Sequence, residues 1–227
     1  MDKRAEKTSK WDINDKIHSS RFEKCQRMIL EEFPGNDHKL LDIGCNEGIF
    51  CVQFLKRGWQ CYGIDIRDDL VKKAKEKGVK AVVYDVSQKI PAKSNFFDAV
   101  FIGELLDMVE DTDSVLDEIN RVLKRNGILV VTVPNLTSLR NRFTVLFGEE
   151  PWPFVDGWKG DQPHLRVYTL EGLKKQLREN GFKFIKADGV GLGPFNLLRT
   201  ELKPVIDSIT EMFPSLSNII IAKAKKA

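Results

Sequence analysis

At 227 residues, with 42% hydrophobic and 30% charged residues, the chain has room for one α/β domain with a decorated end and an ordinary globular composition. Its net charge of +3 is too small to imply nucleic acid or a membrane surface as partner. The four cysteines, Cys25, Cys45, Cys51 and Cys61, show neither CxxC spacing nor histidines at zinc-like intervals, so they read as reduced apolar residues of a cytoplasmic protein without a metal.

Residues 1–14 are polar, contain no apolar segment of the kind a signal peptide needs, and are expected to form a loose tail. Phe22, Cys25, Ile29 and Phe33 recur at helical spacing, and Pro34-Gly35 ends that helix. Leu40-Leu41-Asp42-Ile43 is a short strand, followed by Gly44-Cys45-Asn46-Glu47-Gly48 and a helix carrying Phe50, Cys51, Phe54 and Leu55. A second strand, Cys61 to Asp65, precedes a polar-faced helix from Asp68 to Lys77. A third strand runs from Lys80 to Asp85 and a fourth from Phe97 to Ile102. Val115, Leu116, Ile119, Val122 and Leu123 mark a helix, which Asn126-Gly127 turns into a fifth strand, Ile128 to Val133. This alternation predicts right-handed βαβ units on a parallel sheet.

Beyond Pro134 the rhythm changes. Leu136, Leu139, Phe143 and Leu146 suggest a helix, and a proline-containing loop with Trp152 and Trp158 follows. Thr169 caps the next helix, a strand is expected around Phe182 to Ile185, and Asn218 to Ala222 is a closing strand. The whole chain reads as a single domain, with residues 135–217 as substrate-facing insertions and a lid. Lys223, Lys225 and Lys226 read as a solvated tail.

The loop from Asp42 to Gly48 is a ligand cradle of the kind found where a strand hands over to a helix through glycines. It carries Asp42 and Glu47 and no Lys or Arg, so it should reject a pyrophosphate and favour a cation. The spacing Gly44-x-x-x-Gly48 also departs from the G-x-G-x-x-G of dinucleotide binders. Asp65 follows Asp42 at the interval that sets a carboxylate on a ribose diol. Asp85, at the third strand's end, would accept from an adenine amine while Val86 covers the ring. An adenosine with a positively charged sulfur and an amino-acid tail fits this set, and S-adenosylmethionine has those parts.

The runs LLDIGCNEG, YGIDI, YDV, FDAVFIGELLDMVED and INRVLKRNGILVVTVPN, covering roughly residues 38–135, resemble the class I S-adenosylmethionine-dependent methyltransferases. The resemblance implies a Rossmann-like seven-stranded, mostly parallel sheet with helices on both faces and an antiparallel last strand pair. It also implies that Asp42, Gly44, Asn46 and Gly48, with Cys45 between them, hold the methionine portion of S-adenosylmethionine. Asp65 with Ile66 would hold the ribose, Asp85 with Val86 the adenine, and Glu104 and Leu105 would line the methyl-donor site. The product would be S-adenosylhomocysteine. More loosely, the later runs are similar to methyltransferases of polysaccharide gene clusters and to a methyltransferase-like protein of methionine biosynthesis.

Where many relatives carry Glu-His beyond the fourth strand, this chain has Leu106-Asp107. The expected chemistry is methyl transfer to a small-molecule acceptor by in-line displacement, in a monomer or homodimer that neither binds nucleic acid nor spans a membrane. His164 is the candidate base and Glu104 its catalytic companion. Trp152 and Trp158 are candidate acceptor walls, and Arg140 and Arg142 candidate anion ligands. The alternative is a catalytically weak S-adenosylmethionine-binding module acting on a partner enzyme.

Overall fold

The structure, a computed structural model, describes residues 16–152, 164–193 and 202–227. Its frame is a seven-stranded sheet in the order β3-β2-β1-β4-β5-β7-β6. The strands are β1 (Lys39–Ile43), β2 (Gln60–Asp65), β3 (Lys80–Val83), β4 (Phe97–Gly103), β5 (Leu123–Pro134), β6 (Phe182–Val190) and β7 (Ile219–Lys226). The first five run parallel, and β7 lies antiparallel between β5 and β6. The seven-stranded sheet with an antiparallel last pair is therefore present as expected.

Two apolar layers sandwich this sheet. On one face, Cys25, Met28 and Ile29 of α1 (Lys16–Glu32), Phe54 of the short α2 (Val52–Leu55) and Val71 and Ala74 of α3 (Asp68–Glu76) pack against Leu40, Ala99, Val130 and Ile221. On the other face, Val115, Leu116, Ile119 and Val122 of α4 (Thr112–Val122) join Leu173 and Leu177 of α6 (Leu170–Glu179) against Leu41, Ile43, Val100 and Val131. Helix α5 (Leu139–Leu146) follows β5, and α7 (Lys203–Met212) precedes β7. Side-chain caps start α4, α5 and α6: Asp111, Ser138 and Thr169 each accept a backbone N–H three residues on.

The order of strands reverses between β1 and β4. In an open parallel sheet that point opens a crevice at the carboxyl ends of the two strands, where ligands bind. Everything described below lies around it.

Several expectations shift. β6 continues past Ile185 to Val190 because Gly189, with no side chain, admits Ser217 where a Cβ would collide with its hydroxyl. β5 starts at Leu123, and the Asn126-Gly127 turn is an irregularity inside it, with Asn126 at a φ of 68°. The basic C-terminus is not a solvated tail. Lys223, Lys225 and Lys226 belong to β7; Lys223 is buried and pairs with Glu32 at 2.9 Å, and Lys225 reaches the same carboxylate at 3.2 Å. Strand alternation, unseen in a run of lysines, puts two of them on Glu32. The expected tail at residues 1–14 lies outside the described residues. Among the described residues, no helix is long and apolar enough to cross a membrane.

Candidate active site

Every group predicted from the first cradle sits at the β1 and β2 tips, in unequal roles. Gly44 has a φ of 72°, and a Cβ there would come within 3.1 Å of the Leu105 side chain, so glycine is what lets the β4 tip close over the β1 turn. Gly48 also has positive φ, and a Cβ there would run into Val79 and Ala74, so glycine lets the turn pack closely on its neighbours. Cys45 points into the apolar layer, leaving only its backbone to the cradle. Asn46 adopts a φ of 48°, and its side chain accepts the Glu47 N–H at 2.7 Å, a local bond that suits Asn to this turn.

Asp65 organises the second tip. One oxygen accepts the Asn46 N–H and the other the Arg67 N–H, both at 2.9 Å. Carboxylate oxygens keep further lone pairs, so the group can still take ribose hydroxyls. Beside it Ile66 is 67% exposed, an apolar side chain held in the open at the crevice rim. Asp85 accepts from the Ser87 N–H, which lowers its carboxyl pKa, and Val86 packs partly against the core.

The electrostatic expectation for the cradle needs correction. Glu47 turns to α3, where Lys73 meets it at 2.7 Å and Lys77 at 3.7 Å; the hydrogen bond from Lys73 holds its pKa below the usual glutamate value. Asp42 is buried against the Cys51 thiol, and burial pushes its carboxyl up to about 7. Neither acid therefore stands as a free anion in the loop, because α3 neutralises one and the core desolvates the other.

The groups with unfilled bonding capacity lie further along the crevice. Arg21 of α1 is only 5% exposed, and its Nε and Nη1 have no hydrogen-bond partner. Its nearest carboxylate, Glu104 Oε1 at 3.5 Å, is likewise without a hydrogen bond. Burial raises the Glu104 pKa, with the Arg21 charge opposing it, and the residue is held at a φ of 52°, a strained conformation for a non-glycine. A lysine one turn beyond Arg21 fixes the helix. Lys24 Nζ donates to Asp188 at 2.8 Å, to the Gly189 carbonyl at 2.9 Å and to the Thr210 hydroxyl at 3.2 Å. Buried polar atoms are almost always paired, so orphaned ones clustered in a crevice are places for ligand atoms.

Past Glu104, the β4 tip continues into a helical turn, Leu106–Met108. Asp107 is fully buried, and its Oδ2 bonds His164 Nδ1, leaving Oδ1 unpartnered. That bond raises the His164 pKa against the opposing effect of burial. The Trp152 ring lies 6.2 Å from the imidazole in a T-shaped arrangement. His164 and Glu104, singled out separately in the sequence, are thus brought to one place.

Not all candidates converge. Arg140 and Arg142 lie on the exposed side of α5, the latter bonded to the Thr137 carbonyl at 2.8 Å. Trp158 lies outside the described residues. Sequence reasoning missed Arg21 and the role of Asp107. A signal for Arg21 existed: it shares an i, i+4, i+7 stripe with Cys25 and Met28, both buried. A charge on a buried stripe needs a partner.

The parts at the crevice fit the cofactor that the sequence implied: an apolar rim, the strand-end carboxylate of Asp65, and a buried guanidinium and a buried carboxyl whose hydrogen-bonding capacity is unfilled. The family model described as a methyltransferase domain matches residues 17–187. The chain belongs to the S-adenosylmethionine-dependent methyltransferase family. Among curated relatives, the methyltransferase is 28% identical to an uncharacterized protein of Methanocaldococcus jannaschii over 188 residues, 82% of each chain. It is 27% identical to the mitochondrial ubiquinone biosynthesis O-methyltransferase of Homo sapiens over 70% of its length, and spans only 45% of that protein. Its fold is shared by a Thermotoga maritima S-adenosylmethionine-dependent methyltransferase described as a possible histamine N-methyltransferase, with a TM-score of 0.66, 20% identity and coverage of 92% and 94% of the two chains. The cofactor of this methyltransferase is S-adenosylmethionine, and the product is S-adenosylhomocysteine.

Proposed function

We propose that this methyltransferase transfers the cofactor's methyl group to a hydroxyl of a small-molecule acceptor, by in-line displacement at the crevice between the tips of β1 and β4. The observation that carries this reading is the His164–Asp107 pair beside Glu104. A base is dispensable for a deprotonated amine, whereas a hydroxyl must lose a proton as it attacks. The human relative's name, a ubiquinone biosynthesis O-methyltransferase, points the same way.

The bound cofactor supplies a methyl group on a sulfonium that leaves as a neutral thioether. The chain's own residues hold the parts. Asp65 with Ile66 takes the ribose; Asp85 and Val86 take the adenine; the backbone from Gly44 to Gly48 takes the methionine portion, with Asp42 beneath it. Arg21, buried with unfilled donors, takes the cofactor's carboxylate. Glu104 and Leu105 would line the methyl-donor site, where Glu104 would supply a buried carboxyl. His164 Nε2 receives the hydroxyl proton. Positioning of acceptor and methyl can supply several kcal/mol of the ~7–11 kcal/mol available from orientation. Helices α5 and α7 form part of an acceptor-side cover that excludes water.

The weak binding module had two motives, a histidine missing near Asp107 and the loose methionine-biosynthesis likeness; the fold answers the first by putting His164 beside Asp107, and no observation of the structure favours the second. The test is formation of S-adenosylhomocysteine with a panel of phenolic, aliphatic-hydroxyl and amine acceptors, alongside calorimetry of S-adenosylhomocysteine binding. Turnover confined to hydroxyl acceptors is expected. Turnover of amines alone, or absence of binding, contradicts the reading.

A further inference from the structure

The segment that carries His164 is stitched to the turn after β4 at three consecutive residues. His164 Nδ1 bonds the Asp107 carboxylate, the Leu165 N–H donates to the Asp107 carbonyl at 2.9 Å, and the Arg166 guanidinium bonds the Thr112 hydroxyl at 3.0 Å and the Val109 and Glu110 carbonyls. Asp107 thus grips the segment twice, once through its side chain and once through its backbone. It is completely buried, although a lone aspartate among Leu105, Leu106, Met108 and Val109 is costly to bury.

From this geometry we infer that Asp107 is a positioning residue that orients His164 as the base for a hydroxyl acceptor. The inference rests on the reading of the crevice as a methyl-transfer site. An ionised carboxylate can only accept, so Nδ1 must carry the proton and Nε2 is left with its lone pair free. The groups facing the ring are Asp107 and, through space, Glu104, with the Trp152 ring at its edge. In the step itself the acceptor O–H bond breaks toward Nε2, the oxygen–carbon bond forms, and the carbon–sulfur electron pair stays on sulfur. The imidazolium then lies against Asp107, whose charge compensates it. Asp107 Oδ1, which has no partner, remains to orient the acceptor or a water.

The chain has three histidines, so the His164 resonances can be assigned by difference from His164→Ala. The experiment is nitrogen-15 and proton NMR titration of the imidazoles in the full chain with S-adenosylhomocysteine present, for wild type, Asp107→Asn and Asp107→Glu. In wild type, His164 should titrate above the ordinary histidine value and, once neutral, carry its proton on Nδ1. Asp107→Asn should lower that titration by about one unit or more and mix the tautomers, and Asp107→Glu should restore most of both. Calorimetry with S-adenosylhomocysteine should give affinities within about twofold for all three proteins, because the Asp107 bonds go to His164 and Leu165 and not to the residues proposed for the cofactor. A wild-type His164 protonated on Nε2, or a titration and tautomer unmoved in Asp107→Asn, would overturn the assignment. If S-adenosylhomocysteine does not bind wild type at all, the methyl-transfer reading falls and the inference with it. Binding that persists with an unmoved His164 overturns only the role of Asp107.

Discussion

The two ends of the crevice are built by different means. The cofactor end is local: Asp42, Gly44 and Asn46 lie within one strand-turn segment, and Asp65 locks that turn from the adjacent strand through the Asn46 N–H. The acceptor end is assembled from afar, with His164 fixed to a residue 57 positions earlier, while Arg21, which serves the cofactor end, is delivered by a helix on the other face of the sheet. A local device survives small shifts of the surrounding helices. A distant one depends on every tether, such as the Leu165 N–H on the Asp107 carbonyl and Arg166 on Thr112. Damage at the first end should therefore remove cofactor binding, and damage at the second should leave binding and remove turnover.

The strongest attack on the cofactor end is Gly44→Val. A branched side chain at positive φ, aimed at Leu105, should lower S-adenosylhomocysteine affinity by about a hundredfold or more in calorimetry, or unfold the turn altogether. Near-normal binding would show that the turn and Leu105 move apart freely. Asp65→Ala comes next, since it removes the carboxylate proposed for the ribose together with the acceptor of the Asn46 and Arg67 N–H bonds; affinity should fall on the order of 10- to 100-fold.

Arg21→Met separates the parts of the cofactor. S-adenosylhomocysteine should bind about tenfold more weakly, while 5′-methylthioadenosine, which has no carboxylate, should bind as in wild type. Equal losses for both ligands would mean that Arg21 only braces the helix.

The comparison also has a pH signature. The Asp42 carboxyl titrates near 7 in the fold, above its unfolded value near 4, so the folded state holds the proton more tightly. Stability from this group is fully present below the unfolded pKa and is lost as pH rises from about 4 through about 7. Thermal melts of the ligand-free protein should show wild type losing ground to Asp42→Asn over that window; parallel melting curves would contradict the assignment. The smallest effect is reserved for Glu47→Gln. Because Glu47 serves Lys73 and Lys77 at the surface, cofactor affinity should change by less than about twofold.

Legibility in the sequence followed the same division. The strand-turn-helix segments and Asp65 could be read because their chemistry lies within a few residues of a recognisable pattern. Glu47 was misjudged since the lysines that answer it come 26 and 30 positions later, on a helix whose facing cannot be read from the loop. The lysines of β7 were misread for a similar reason: in a strand, alternate residues face opposite layers, and Glu32 lies on a distant helix. His164 stands out as a residue, yet its partner does not, because Asp107 lies 57 positions earlier, past the tip of β4.

The most direct measurement is a crystal structure of the chain with S-adenosylhomocysteine. It should show the ribose on Asp65, the carboxylate on Arg21, and the sulfur facing a space bounded by Glu104 and the free nitrogen of His164. A ligand lodged elsewhere, or a sulfur turned away from His164 with that imidazole pointing to solvent, would contradict the account.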